Sequence, residues 1–186
     1  MGILEIVAAL AFFFLGGPLL IEVVGYAWHR LAEHAGLVGD TVRYRHHLHH
    51  DVKYPLNSYK STVEQGYFDS HSWSWYVLGG VIGVCCIVFL SWTNAIAMIT
   101  GGLIYGLGVI EYFHRAFHLK GHWLYRFHWF RKLSRLHHLH HLMRCNYGIA
   151  FFGMDRLFGT YRTVWHGKLD VQFPGYNSNS LQNSVD

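Results

Sequence analysis

Apolar residues gather into two long blocks along this chain. The first, "ILEIVAALAFFFLGGPLLIEVVGYAW" from Ile3 to Trp28, is about 25 residues long and can cross a bilayer as a helix. Its Gly16-Gly17-Pro18 trio predicts a kink or break. It shows no basic leading region and no small-residue cleavage site, so a cleaved signal peptide is not expected. The second block, Trp73 to Phe113, is too long for one crossing and divides at "SWTN", Ser91 to Asn94. It predicts helices over about 75–90 and 95–113, joined by a tight turn, with Trp73, Trp75, Tyr76 and Trp92 at the interfaces. The expected fold is all-α: an integral membrane helical bundle of about three transmembrane helices, forming a single domain over 1–186. Its spans are about 3–28, 75–90 and 95–113, under a helical, histidine-rich cytosolic cap built from 29–72 and 114–168. The tail, 175–186, is polar and expected to be loosely ordered.

Charge orients this arrangement. Charged residues are only 14% of the chain against 52% hydrophobic, well below the usual quarter for a soluble domain. All 15 Lys and Arg lie between Arg30 and Lys60 or between Arg115 and Lys168. With three spans, both regions share one face. The positive-inside rule then puts the N-terminus outside and the histidine-rich regions and C-terminus in the cytosol, in a bacterial inner membrane or the ER. This accounts for a pI near 9.0 without nucleic acid, for which no aromatic-interleaved basic stripe is present. Cys85, Cys86 and Cys145 make no disulfide framework and read as buried, inert thiols, although Cys145 stands beside a histidine cluster.

The chemistry lies in 16 histidines. They include "HRLAEH" (His29, His34), "HHLHH" (His46, His47, His49, His50), "HRAFH" (His114, His118) and "HHLHH" again (His137, His138, His140, His141). Helix positions i, i+3 and i+4 share a face. This groups His46 with His49 and His50, His137 with His140 and His141, and His114 with His118. His29 and His34 are five apart and need a helix end or bend between them, which Gly36 can provide. Ten imidazoles exceed the four or so that one zinc takes. They suit two ions at five ligands each, and neutral imidazole serves iron, zinc, copper and nickel. His47 and His138 fall off the main faces. His71, His122, His128 and His166 read as ordinary polar side chains, and the repeated His-His-Leu-His-His as a local echo without a solenoid period.

Four ordered boxes followed by "NYGIAFFGMDRLFGTYR", Asn146 to Arg162, resemble the fatty acid hydroxylase/sterol desaturase superfamily. Met154 stands where the family has Trp. "HHDVKYPLNSYKS" also resembles the Tyr-Pro continuation of some bacterial members. The resemblance covers about residues 22–162. It implies a membrane-bound non-haem di-iron enzyme whose ligands match His29, His34, His46, His49, His50, His114, His118, His137, His140 and His141. Zinc can replace iron in purified samples.

Glu111, three before His114, is then expected to orient an imidazole. Glu22, seven before His29, is a functional candidate as an intramembrane carboxylate. Asn146 reads as a turn former or an outer contact of the metal site, and Asp155-Arg156 as a structural pair.

The expected activity is hydroxylation or desaturation of an unactivated C–H of a lipid, such as a fatty acyl chain or sterol. It would use O2 and an external electron donor, ferredoxin-like or cytochrome b5-like with its reductase. The substrate would enter from the bilayer into a pocket between the spans, below the metals. Two alternatives accompany it. Glu22-Val23 with His29 seven after the Glu is similar to bacterial carotenoid hydroxylases, although "HRAFH" departs from their third box. A zinc-binding transport or sensing protein is the non-enzymatic reading.

Overall fold

The computed structural model describes residues 3–55 and 74–164. Trp73, His71, His166, the continuation beyond Pro55 and the tail at 175–186 lie outside the described residues.

Every element described is helical. Helix α1 (Ile3–Ala27) runs straight on into a π-helical turn, Trp28–His34. Helix α2 (Asp40–His47) likewise continues into a π turn, Leu48–Lys53. Helices α3 (Ser74–Phe89) and α4 (Trp92–Tyr105) form a hairpin about Leu90 and Ser91. A π turn, Gly106–Glu111, then leads from α4 into α5 (Tyr112–Phe117). After a 3-10 turn at Trp123–Arg126 come α6 (His128–Leu142) and the short α7 (Gly153–Leu157).

Two continuous helical stretches, Ile3–His34 and Trp92–Phe117, are 32 and 26 residues long and apolar enough to cross a membrane. Only 11% of either apolar window is buried, so neither is the core helix of a soluble domain. The third expected span, α3, is apolar and runs over 16 described residues, as expected, just under the usual crossing length. The first and last spans also run further than expected. Each carries its histidine pair on the same helical rod that enters the apolar layer.

The Gly-Gly-Pro trio does not end α1, which continues through Pro18. Pro18 lacks the N–H that would bond the Phe14 carbonyl four residues back, and that oxygen faces α4. A Cβ on Gly101 would lie 1.9 Å from it, and one on Gly17 would lie 2.3 Å from the Met98 carbonyl oxygen. The trio is therefore a contact point where two backbones meet.

The polar half is held by aromatics and hydrogen bonds. Ala116, Phe117, Leu124 and Phe130 form one buried cluster. The Tyr125 hydroxyl donates to the Phe117 carbonyl at 2.8 Å and meets Ser134 Oγ at 3.0 Å, tying α6 to the end of α5.

Candidate metal centre

Helical phase brings the histidines inward, but it does not sort them as the sequence suggests. His29, His34, His46, His50 and His140 have ligand atoms within 4.8 Å of one another, and His49, His114, His118 and His137 form a second such group. Each His-His-Leu-His-His box is therefore divided. The first sends His46 and His50 to one group and His49 to the other; the second sends His137 to one and His140 to the other. His141 stands with the second group, its Nε2 3.1 Å from His137 Nε2 and its ring 4.9 Å from that of His118. With His141 counted, each five-residue box keeps the histidines at its first and fifth positions together and lends the one at its fourth position to the opposite group. The two groups abut, since the His50 and His141 rings stack at 4.1 Å.

The first pair needs no bend. In the π turn the Ala35 N–H bonds the Arg30 carbonyl, five residues back, at 3.1 Å. Such a turn aligns i with i+5 as an α-helix aligns i with i+4. His29 and His34 thus come to 5.1 Å between ring centroids.

The donor set fits a cation. His29 Nδ1 donates to the Tyr147 carbonyl and His140 Nδ1 to the Cys145 carbonyl, both at 2.7 Å, and His141 Nδ1 donates to the Tyr54 carbonyl at 3.1 Å. Those bonds fix the tautomer and leave each Nε2 with a lone pair turned inward. Within the first group Nε2–Nε2 separations are 2.8 Å (His50–His46), 2.9 Å (His46–His34), 3.1 Å (His29–His46) and 3.2 Å (His34–His140). In the second group His137 and His118 are 3.0 Å apart. Two nitrogens about 2.1 Å from one ion and at right angles would be separated by about 3.0 Å. His118 Nδ1 and His137 Nδ1 are buried with no hydrogen-bond partner among the described residues.

Burial, reinforced by neighbouring imidazoles, holds His46, His50, His118, His137 and His140 well below the ordinary imidazole pKa. Burial pushes His141 down to about 3. Neutral rings are the form that binds metal.

The remaining expected residues are placed as follows. His138 turns away, its Nε2 donating to the Phe117 carbonyl at 3.2 Å. His47 is half-exposed beside Asp51 at 3.5 Å. Glu111 accepts from Arg115 Nε, one turn on, at 2.9 Å. Glu22 is buried and hydrogen-bonded by the Tyr105 hydroxyl, with no histidine on it.

Asn146 touches no imidazole. It takes the left-handed conformation, φ 51°, which suits Asn. Its amide donates to the Leu136 and Arg162 carbonyls and accepts from Arg162 N–H. It fixes the turn that presents the Cys145 and Tyr147 carbonyls on either side.

Asp155 and Arg156 are not a pair. Fully buried Asp155 accepts the Tyr147 and Gly148 N–H groups, each at 2.8 Å, and the Thr160 hydroxyl at 2.7 Å. Arg156 packs over the Tyr161 ring. An acid standing next to an Arg suggested an ion pair, but burial and two backbone donors decide its role.

Glu33 was not singled out by sequence reasoning. It is buried, accepts the Trp75 indole N–H at 2.7 Å through Oε1, and turns Oε2 toward His46 Nδ1 at 3.5 Å. A carboxylate on the outer nitrogen of a ligand imidazole orients the ring and raises its basicity. The signal was present: an acid inside the first box, directly before His34.

Beneath both groups lies a cavity of about 550 Å³ between α1, α3 and α4. His29 and His46 from one group and His49 and His114 from the other reach its wall, with Glu33, Glu111 and Tyr147. Lower down its lining is largely apolar, from residues such as Leu20, Ile82 and Leu107.

Residues 14–160 match the family described as "Fatty acid hydroxylase". Such a match over most of the chain identifies the class: the protein belongs to the fatty acid hydroxylase family, within the fatty acid hydroxylase/sterol desaturase superfamily. No curated protein and no solved structure matches the chain.

Proposed function

We propose that this protein is an integral membrane oxygenase that hydroxylates or desaturates an unactivated C–H of a lipid. Two iron ions would be held by the ten histidines, with O2 as co-substrate and electrons from an external donor, ferredoxin-like or cytochrome b5-like. The observation that carries this reading is the cavity: a lipid-sized, apolar space bounded by two membrane-length helices and the shorter apolar α3, whose upper wall holds histidines of both groups.

Bound iron would supply oxygen activation and oxidation of the substrate carbon. The chain's residues do the rest. Carbonyls of Tyr147, Cys145 and Tyr54 fix the tautomers of His29, His140 and His141. Glu33 aligns His46. The apolar wall holds the lipid tail and keeps bulk water from the reacting carbon. Specificity would come from position, with a lipid tail held between α1, α3 and α4 beneath the histidines.

The lysines and arginines all fall at 30–60 and 115–168, from the histidine-bearing ends of the two long helices onward. This favours an N-terminus outside and histidine groups facing the cytosol, where the basic face would meet an acidic electron carrier.

Mass spectrometry of lipids from cells with and without the protein, alongside iron analysis of the purified chain, tests the reading. An O2-dependent lipid product and two irons per chain are expected. An iron-replete, folded sample that oxidises no lipid with any donor would sink it.

A further inference from the structure

We propose that Glu22, with Tyr105 behind it, is a specificity-determining residue that accepts a hydrogen bond from a hydroxyl on the bound lipid, about eight bonds from the carbon presented to the histidines. The inference rests on the lipid-oxidation reading and narrows its substrate class to hydroxyl-bearing lipids.

Glu22 lines the cavity seven residues below His29 on the same rod. At 1.5 Å per residue this is about 10 Å, and positions seven apart share a face. An extended chain advances about 1.2 Å per bond, so about eight bonds bridge the gap. The cavity continues past Glu22 to the α1–α4 contact, where Gly17 and Gly102 reach its wall. Gly17 lies twelve residues below His29, about 18 Å. A bound chain therefore passes the carboxyl instead of ending on it.

A carboxyl inside a span is costly and needs a use. The Tyr105 hydroxyl donates to Glu22. A carboxylate offers about four acceptor positions, so this donor leaves capacity for another. Around it the wall is Ile21, Val24, Leu103 and Leu107, which offer a lipid hydroxyl nothing. A plain hydrocarbon chain there would leave the carboxyl against alkane, whereas a chain with a hydroxyl at that depth completes its hydrogen bonding.

Methyl 10-hydroxyoctadecanoate and methyl octadecanoate form a matched pair. In the first, carbon 10 is eight bonds from both carbon 2 and carbon 18, so either end can face the histidines. Binding of each to the detergent-purified full chain is measured by native mass spectrometry, without reductant. The wild type should bind the hydroxy ester roughly tenfold more tightly, as expected for one buried hydrogen bond to a polar group. Glu22→Leu should remove that preference without weakening binding of the plain ester. Glu22→Gln, of the same shape, should narrow it.

Equal affinities in the wild type overturn the proposal. So does a preference that survives in Glu22→Leu, or, where that variant does not fold, one that Glu22→Gln leaves unchanged. Binding is read without turnover, so an intact preference in a chain that oxidises no lipid upholds the anchor and counts against the oxidation reading alone.

Discussion

At the residue scale, the histidines do not act alone, because carbonyl oxygens and carboxylates decide which nitrogen each presents. Glu33→Gln keeps the shape and the contact with Trp75 but removes the charge facing His46. Metal affinity or activity should fall about 10- to 100-fold, with iron titration as the measurement and the fold unchanged by circular dichroism. Asp155→Ala strands two buried N–H groups and the Thr160 hydroxyl. At about 1–3 kcal/mol for each unsatisfied group, it should destabilise by several kcal/mol in a denaturation experiment, with loss of the His29 tautomer following. Much of this scale was legible beforehand. Ten histidines stood out by spacing, and nine of them fall in the two groups. The carbonyl partners were not legible, because a backbone oxygen carries no residue identity. Asn146 and Asp155 mark their places only indirectly.

At the element scale, the π turns and the helix crossing matter most. A helical wheel with 3.6 residues per turn cannot put His29 and His34 together, which is why the sequence called for a bend. The structure widens the turn instead and keeps the rod whole. Nor could the wheel say that one arc of histidines serves two centres. Phase tells which side of a helix faces inward and is silent on which neighbour meets each edge of that side. Gly101→Val tests the crossing. Its side chain would meet the Phe14 carbonyl region, where a Cβ already lies 1.9 Å away, so α1 and α4 must separate. Detergent-solubilised protein should melt at least several degrees lower. Gly102→Ala, whose Cβ would meet Ile21 at 3.4 Å, should be nearly neutral. Equal losses in both would argue against a backbone contact at Gly101.

At the scale of the whole molecule, the chain runs through one plan twice: a span, a histidine pair, then a His-His-Leu-His-His box. The two long apolar helices, the grouping of charge at 30–60 and 115–168 and the order of boxes were readable from sequence. The length of α3 and a pocket below the histidines were expected as well; which side chains line that pocket was not legible, since an unfilled volume leaves no periodicity. Acid should loosen the assembly. His138 is pushed down to about 4 and His141 to about 3, chiefly by burial, against about 6.5 when unfolded. Between those values the unfolded chain binds more protons, so stability is fully present above about pH 6.5 and is lost as pH falls toward the folded values. Melting of chelator-treated protein across pH 4–8 should show that slope. Chelation at pH 7 should itself lower the melting temperature, because metal binding stabilises only the folded state.

The exchanged histidines carry a consequence for how the molecule is made. His140 joins a group otherwise drawn from residues 29–50, and His49 joins one otherwise drawn from 114–137. Neither half of the chain can complete a centre by itself. During synthesis the first half must wait with open coordination until about 90 residues have followed His50. Two fragments, each bearing one box, should load metal only when produced together. Incorporation of metal would thus report that both histidine boxes have arrived.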